Sequence, residues 1–460
     1  MGAMNLRKQE ILPLRDNREE SVPEAISESG LFDTLNRYQG KNLEQWSELG
    51  VTVFKGRGKN DGSIEAAVFD LSSEDGQSKI STSNSMGVIR LQDEAHGGSL
   101  QIEIGSRFDT AEKQFFLAYL LSKVFGGSVV DTVSLSTDSL WDMLLAFAFR
   151  RLFLEAGTLG SFRQYRTNAH NDMRLRGRID VAGHLRHNIP FRGNVSYTTH
   201  DISFDNPTNH LIRHALAKVS RQWGEMLTAD SRLTRLRREL AEQTPTWESK
   251  GVMACVAKKE NRMPIRHPFF QPAYEPLRKI CLAILRDEGA GIYQQHQEAE
   301  GVIFDGSWLW EEYLWTLLKP LGFEHPENKE RTGVWKPLNW IKYYPDFFHR
   351  EKRIVLDAKY KRTSNDEKED VKQLFAYMFV LDAIHGGLIK PDEGKAKSEN
   401  IKREVQDAKA AKWHEFGLMP PSHATEARVF VDDMHLKEAY FTKAICGEFR
   451  LNERMPGFTA

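Results

Sequence analysis

The sequence predicts an α+β protein of several domains: an N-terminal β-rich module, a central helical region and a C-terminal α/β domain. The chain has 460 residues, enough for two or three domains with sizeable cores. Short β-like runs dominate up to about residue 108, and longer segments with helical periodicity follow them. A continuous apolar run at Ile354–Leu356 is typical of a buried strand in an α/β domain.

We place the predicted domains at residues 1–110 for the β-rich module, 111–289 for the mostly helical region and 290–460 for the C-terminal domain. Residues 1–30 are polar and charged, which favours helical or loosely ordered structure. Gly, Ser, Asn and Asp separate the β-like runs of the module, as expected of short strands joined by turns. These predicted strands comprise residues 51–54, 66–69, 87–91 and 100–104.

Apolar residues at helical spacing follow the β-rich module. One of these segments begins with Pro207, a residue that suits the first turn of a helix. The predicted helices comprise residues 112–125, 140–156, 207–223, 232–242, 272–285, 308–318 and 367–384. The segment 390–425 is rich in lysine and poor in apolar residues, so we predict an insertion or an exposed helix there.

The charge of the chain is balanced, with 63 basic and 64 acidic residues. Any nucleic-acid binding must therefore use local patches and not a global positive field. The three cysteines are far apart and form no CxxC, which argues against a zinc site or a disulfide framework. No signal-peptide pattern opens the chain and no apolar run approaches about 18 residues, so we expect a cytoplasmic protein without a membrane partner.

Two acids and a lysine surround the predicted strand of the C-terminal domain. A Pro-Asp pair ending in Asp346 precedes a short strand, residues 349–353 resemble an exposed turn, and the next strand leads into Asp357 and Lys359. Carboxylates on adjacent strands can hold a divalent metal, and Lys359 shares a face with Asp357 because side chains alternate along a strand. This is the arrangement of the PD-(D/E)xK nucleases. Hard carboxylate oxygens suit Mg²⁺, with Mn²⁺ as the alternative, for phosphodiester hydrolysis.

Two predicted helices flank this motif and carry polar residues in a fitting order. The upstream helix contains Glu311 and Glu312, and the downstream helix contains Gln373 and Tyr377. Gln373 and Tyr377 are four residues apart and so share one helix face. The ordered set matches the core and the extra motif of the RecB-like branch of these nucleases. The less favoured alternative is an ordinary αβ unit with a surface Asp–Lys pair.

The central region contains a basic cluster around Gly177. Arg174, Arg176 and Arg178 could contact phosphates, because arginine matches phosphate oxygens bidentately. The alternative is a strand whose arginines pair with nearby acids or line a subunit surface. On residue chemistry alone we favour this second interpretation.

These motifs together resemble the McrC family, the nuclease subunit of McrBC-type modification-dependent restriction systems, with its LlaJI-like relatives. The resemblance spans roughly residues 85–390. Four stretches carry it, namely residues 102–108, residues 175–180 with 205–212, residues 309–311, and the set Asp346, Asp357, Lys359, Gln373 and Tyr377. Glu311 fits the family glutamate better than Glu312, because an aromatic residue precedes it and Tyr313-Leu314 follows.

The resemblance implies a DNA endonuclease for anti-phage defence. It implies catalysis by Asp346, Asp357, Lys359 and Glu311, with the three acids as metal ligands and with Gln373 and Tyr377 in support. Double-stranded DNA is the implied substrate, and two nucleases would meet for double-strand cleavage. Further candidate contacts with DNA or a partner are Arg107, Arg174, Arg176, Arg178 and Lys361.

The resemblance also implies a separate motor, a hexameric AAA+ GTPase ring of the McrB type that the N-terminal module would enter and stimulate. The sequence contains no GxxxxGK[ST]; residues 56–59 are too short for it, and we favour a hairpin loop at residues 56–62, so we expect no nucleotide on this chain. Two alternatives stay open: an autonomous RecB-like repair nuclease, and a non-catalytic activator subunit of an AAA+ ring.

Overall fold

The structure is a computed structural model in which the chain divides into two compact units. One unit comprises residues 1–147 with 296–460, and the other comprises residues 148–295. The described residues are 9–56, 66–74, 77–93, 98–109, 113–127, 129, 139–228, 230–286, 299–325, 335–338, 341–360, 367–392, 397–401, 411–421 and 424–451.

Helices and strands are mixed throughout the described residues, as the predicted α+β class requires. The helices are α1 (Glu24–Ser27), α2 (Gly30–Tyr38), α3 (Leu43–Leu49), α4 (Phe115–Phe125), α5 (Leu140–Thr158), α6 (Val181–His187), α7 (Pro207–Thr228), α8 (Ser231–Gln243), α9 (Val252–Ala257), α10 (Lys259–Arg262), α11 (Gln271–Arg286), α12 (Gly306–Leu318), α13 (Glu367–Val380) and α14 (Ala427–Phe449). The strands are β1 (Gln9–Arg15), β2 (Glu19–Ser21), β3 (Thr52–Phe54), β4 (Phe69–Glu74), β5 (Gln77–Thr82), β6 (Ser85–Asp93), β7 (Gly98–Gly105), β8 (Gln164–Asp172), β9 (Arg178–Ile179), β10 (Val195–Ser203), β11 (Ala299–Asp305), β12 (Trp335–Leu338), β13 (Ile341–Tyr343), β14 (Phe347–His349), β15 (Ile354–Ala358), β16 (His385–Lys390), β17 (Lys397–Ile401) and β18 (Ala411–Gly417).

The first unit contains a five-stranded mixed sheet with the order β1-β7-β6-β11-β3. Strands β1 and β7 are parallel, β6 is antiparallel to both β7 and β11, and β11 runs parallel to β3. A smaller antiparallel sheet has the order β2-β5-β4. The apolar face of the larger sheet packs with α2 and α3 in one core, in which Leu35 and Trp46 are fully buried. This packing forms the predicted β-rich module.

The prediction of helical or loosely ordered structure for residues 1–30 is wrong for residues 9–21, which contain β1 and β2. Leu12 and Leu14 alternate with the exposed Ile11 and Pro13 and enter the core of the larger sheet. Pairing of β1 with β7, almost a hundred residues later in the chain, provides the hydrogen bonds that stabilise this short segment. The predicted strand at 66–69 is displaced, because β4 begins only at Phe69.

Strand β11 belongs to the later part of the chain but lies within the N-terminal sheet. Every residue of β11 is buried, and the strand lies between β6 and β3 of the N-terminal sheet. Asp305 ends the strand and caps α12, since its carboxylate accepts a hydrogen bond from the backbone N–H of Ser307 at 3.0 Å. The predicted borders at 110 and 289 divide the chain into three consecutive domains. The structure instead groups residues 1–147 with residues 296–460 in one compact unit.

The C-terminal part of this unit contains a second five-stranded sheet with the order β14-β15-β16-β18-β17. Its three central strands are parallel, and its two edge strands are antiparallel to their neighbours. Helix α13 packs on one face of the sheet, where Leu374 and Met378 meet Val355 and Leu388. This α/β arrangement agrees with the class predicted for the domain.

The prediction of an insertion or an exposed helix at 390–425 is wrong, because the described residues of this segment include β17 and β18. Strand β18 lies inside the sheet, and Ala411, His414 and Phe416 are buried. Because this segment contains the exposed Lys412 and several other polar residues, its composition did not predict a strand. Tertiary pairing with β16 and β17 overrides the local preference.

The second unit is mostly helical, and it also contains an antiparallel sheet with the order β8-β10-β9. Asn206 is fully buried and caps α7, since its Oδ1 accepts a hydrogen bond from the backbone N–H of Asn209 at 3.0 Å. The amide of Asn206 donates to the carbonyl of Phe162 at 3.1 Å, and the amide of Asn209 donates to the same carbonyl at 2.9 Å. These bonds fix the start of α7 at Pro207, as predicted.

No described helix combines the length and the apolar character needed to cross a membrane.

Asp109 holds the start of α4 in the first unit. Its carboxylate accepts hydrogen bonds from the backbone N–H groups of Phe116 at 2.7 Å and Leu117 at 3.0 Å. Burial raises the pKa of the Asp109 carboxyl to about 7, because desolvation outweighs the stabilisation that the two N–H groups give to the charged form. The folded chain therefore retains this proton at a pH where the unfolded chain has lost it.

We expect the Asp109→Asn variant to lose less stability than the wild type as the pH rises. Stability from this carboxyl is present below its unfolded pKa of about 3.9 and is lost as the pH rises through the folded pKa. Urea unfolding measures the free energy of unfolding near pH 5 and near pH 8. Between these two values the wild type should lose on the order of a few kcal/mol more of this free energy than Asp109→Asn. The exposed Asp33→Asn should behave as the wild type, and an unchanged pH dependence in Asp109→Asn would contradict this account.

Candidate functional site

The antiparallel hairpin of β14 and β15 brings the two predicted acids onto neighbouring strands. Asp346 immediately precedes β14 and Asp357 is near the end of β15, with Phe347 paired to Leu356. Asp346 is 1% exposed and Asp357 is 2% exposed. The Oδ2 atom of Asp346 accepts a hydrogen bond from the backbone N–H of Ala358 at 2.7 Å. Two buried carboxylates are therefore held at one end of the hairpin.

Lys359 completes the motif on the face predicted from strand alternation. Its Nζ lies 2.7 Å from Oδ2 of Asp357 and 3.7 Å from Oδ1 of Asp370. Its backbone N–H donates to the carbonyl of Ile389 at 2.9 Å, which extends the parallel pairing of β15 with β16 by one residue. The backbone of the lysine is thus fixed by the sheet, and its ammonium is aimed at the acid.

Burial by itself would lower the pKa of the Lys359 ammonium, but the neighbouring carboxylates reverse that effect. Asp357, Asp346 and Asp370 surround the ammonium with negative charge and raise its pKa above the ordinary value. The lysine is therefore a cation in this arrangement.

Helix α13 supplies the predicted polar pair. The Nζ atom of Lys359 donates to Oε1 of Gln373 at 3.2 Å, and Nε2 of Gln373 donates to the hydroxyl of Tyr377 at 3.2 Å. Tyr377 packs in the core between α13 and the sheet, whereas Gln373 is exposed. A continuous chain of hydrogen bonds therefore runs from the lysine to a residue anchored in the core.

Sequence reasoning missed Asp370, which is buried and pairs with Lys359. It lies three residues before Gln373 and therefore on the same face of α13. That spacing is the signal that could have identified it.

A second charged pair was also missed. Lys390 is 2% exposed, and its Nζ lies 3.0 Å from Oε1 of Glu415. Leu388 pairs with both Asp357 and Glu415 in the sheet, so alternation places Lys390 and Glu415 on the same face as Asp357. The sequence offered no signal, because β18 was not predicted.

Glu311 lies on α12, a helix that packs against β15 and is capped by Asp305. Glu311 is buried and its neighbour Glu312 is partly exposed. Within the described part of the chain, no group of three or more His, Cys, Asp or Glu side chains forms a metal site. The donor chemistry of Asp346 and Asp357 suits a hard divalent cation, and Glu311 as a third ligand stays a prediction.

The predicted arginine contacts lie in different surroundings. Arg174, Arg176 and Arg178 are exposed residues at the β8–β9 end of the sheet in the second unit, so they stay candidate contacts. Arg107 instead lies in the first unit, and its side chain is only 10% exposed. Its guanidinium forms an ion pair with the buried Asp16. An external contact for Arg107 therefore finds no support in this geometry. Lys361 lies outside the described residues.

The fold and the site define a multidomain α/β protein whose C-terminal hairpin presents two buried carboxylates and a lysine. A family model described as McrBC 5-methylcytosine restriction system component matches residues 80–391, which is well over half of the chain. The chain belongs to this family, and the predicted identification is confirmed.

Two solved structures are similar to the chain. One is a refined half-complex from a tetradecameric assembly of Thermococcus gammatolerans McrB AAA+ hexamers with bound McrC, with 15% identity, coverage of 95% of this chain and 100% of that chain, and a TM-score of 0.48. The other is a cryo-EM structure of the Thermococcus gammatolerans McrBC complex, with 14% identity, coverage of 68% and 88%, and a TM-score of 0.32. No curated protein matches the chain.

Proposed function

We propose that the chain is the DNA endonuclease subunit of a restriction complex for anti-phage defence. It would hydrolyse phosphodiester bonds with Mg²⁺ and would work with a separate AAA+ GTPase motor. Its family membership supports the restriction role.

The observation that carries the nuclease proposal is the geometry of the β14–β15 hairpin. One buried carboxylate immediately precedes β14 and the other lies on β15, and the ammonium of Lys359 lies 2.7 Å from Asp357. Burying two acids is unfavourable unless cations or hydrogen bonds compensate their charge. One lysine next to several acids suits a site that also takes up a divalent cation.

Each residue then has a distinct role. Asp346 and Asp357 would hold the cation, with Glu311 completing the set directly or through water. Mg²⁺, when bound, supplies charge stabilisation at the phosphate and a more acidic water, with Mn²⁺ as the alternative ion. Lys359, as a cation, would orient the attacking water and stabilise the negative charge that develops at the phosphate, while Gln373 and Tyr377 hold the lysine and the scissile strand. Positioning and electrostatics supply most of the rate in phosphoryl transfer.

The proposed partner is a hexameric AAA+ ring of the McrB type, acting on double-stranded DNA. The similar Thermococcus gammatolerans half-complex holds McrC with McrB AAA+ hexamers. The sequence of this chain has no GxxxxGK[ST], so the motor for energy-dependent cleavage would be another polypeptide. With one site on each chain, double-strand cleavage would require two nucleases to meet.

Cleavage of 5-methylcytosine-containing and unmethylated plasmid tests this proposal. The chain, alone and with the AAA+ GTPase that co-purifies from its host, is assayed with Mg²⁺ or EDTA and with GTP, ATP or no nucleotide. We expect cleavage only with Mg²⁺, the partner and a nucleotide. Cleavage by the chain alone without nucleotide would favour an autonomous repair nuclease. Stimulated nucleotide hydrolysis without any cleavage would favour a non-catalytic activator.

A further inference from the structure

The end of strand β7 meets the residue that follows the site lysine. Tyr360 is 4% exposed, and its hydroxyl lies 3.2 Å from the hydroxyl of Ser106, the residue after β7. Its ring packs edge-on against Phe108 at 5.5 Å and lies 6.1 Å from the ring of Trp310, next to Glu311. The N-terminal sheet therefore forms part of the surroundings of the DxK motif.

Arg107 lies at the centre of this contact. One of its terminal nitrogens, Nη2, donates to the carbonyl of Tyr360 at 2.6 Å and to Oδ1 of Asn84 at 3.2 Å. The same nitrogen lies 3.3 Å from Oδ2 of Asp16, and the guanidinium carbon lies 4.7 Å from the centre of the Tyr360 ring. The guanidinium thus contacts both the backbone and the ring of one residue.

Asp16 fixes the orientation of this arginine. Its side chain is fully buried just after β1, and its Oδ1 accepts a hydrogen bond from the backbone N–H of Arg107 at 2.5 Å. Burial raises the pKa of Asp16 to about 6, although the charge of Arg107 opposes the rise. At neutral pH the carboxylate is mostly ionised and pairs with the guanidinium.

Tyr360 directly follows Lys359 in the chain. The backbone N–H of the lysine bonds to β16 through the carbonyl of Ile389 at 2.9 Å. Beyond it, the carbonyl of Tyr360 is bound by Arg107. A shift of Tyr360 would move its Cα and the Lys359–Tyr360 peptide that ends there, and with them the direction of the lysine side chain toward Asp357.

We propose that Arg107 is a positioning residue for the Lys359 side chain, acting through the carbonyl and the ring of Tyr360. The inference rests on the proposed nuclease function. It also gives the N-terminal sheet a direct structural link to the cleavage site. A planar guanidinium can donate to several acceptors while stacking on a ring, whereas the ammonium of a lysine cannot reproduce that geometry.

Arg107→Lys tests this inference, with the exposed Arg37→Lys of α2 as the matched control. Cleavage is measured with the complete complex. We expect Arg107→Lys to lower kcat by about 10-fold or more with little change in KM for DNA, because small displacements of reacting groups reduce rates strongly. The double variant Asp16→Asn/Arg107→Met leaves no buried unpaired charge at the pair, so it should fold and show the same loss of kcat.

A second readout does not depend on cleavage. Hydrogen exchange of the backbone amides in residues 354–360 should be faster in both Arg107 variants than in Arg37→Lys, with equal midpoints of thermal unfolding. Folded variants with wild-type kcat and wild-type exchange would overturn the inference. The wild type and Lys359→Ala are assayed beside them: if the wild type shows no Lys359-dependent cleavage, the proposed function fails, and the exchange result still decides the positioning role.

Discussion

Lys359→Ala is expected to lower Mg²⁺-dependent DNA cleavage by at least about 100-fold, the effect typical of removing a group that assists proton transfer or charge stabilisation. The variant loses the ammonium that lies 2.7 Å from Asp357 and the donor to Gln373. Asp357→Ala should have an equal or larger effect, because it removes one of the two carboxylates proposed to hold the cation. The initial rate of plasmid cleavage by the complete complex measures both losses.

The control is Lys368→Ala, which removes an exposed lysine from α13 and should leave cleavage unchanged. The partner's nucleotide hydrolysis should be stimulated equally by every folded variant, because that stimulation is proposed to depend on the N-terminal module. If Lys359→Ala and Asp357→Ala both cut at the wild-type rate, the reaction does not occur at this site. If no protein cuts while stimulation persists, the activator alternative is favoured.

Gly301→Ala is expected to destabilise the first unit by at least about 3 kcal/mol, since it combines a steric clash with backbone strain. A Cβ atom on Gly301 would lie 2.0 Å from the carbonyl oxygen of Val88 on β6, and the φ angle of Gly301 is +138°. The clash is with backbone inside a sheet, so no side chain can rotate to relieve it. Strand β11 could accommodate the methyl group only by separating from β6.

Urea unfolding followed by circular dichroism measures this effect, and Gly447→Ala is the matched control. Gly447 lies within α14, and a Cβ atom there would meet no atom within 4 Å. Alanine is favoured over glycine inside helices by about 0.5–1 kcal/mol, so the control should be neutral or more stable. A Gly301→Ala protein as stable as the control would show that β11 does not occupy the described position between β6 and β3.

The sequence predicted the features of the candidate site that depend on neighbours in the chain. Alternation along a strand places Asp357 and Lys359 on one face, and a spacing of four residues places Gln373 and Tyr377 on one face of α13. The structure has both strands of the hairpin and the contacts of Lys359 with Asp357 and Gln373. The predicted turn is present at residues 350–353, but His349 is buried in β14. The roles of these residues in cleavage stay predictions until the variants are measured.

Apart from Asp370, the features that sequence reasoning missed depend on segments that are distant in the chain. Strand β1 is stabilised by β7, β18 lies between β16 and β17, and β11 joins a sheet formed mainly by residues before 106. Short strands have weak local signals, because their stability comes from the strands beside them. The burial of Arg107 against Tyr360 could not be inferred for the same reason.

By itself, the sequence determined the mixed α/β class and the local geometry of the acid–lysine motif, because short-range periodicity encodes each local arrangement, and its ordered motifs carried the resemblance to the family. Only the tertiary structure decided which distant segments surround that motif. It placed Asp370 beside Lys359, Arg107 against Tyr360, and the N-terminal sheet around β11. The physical reason is that burial and strand pairing between remote segments are settled by the packing of the whole unit, and local residue preferences do not encode them.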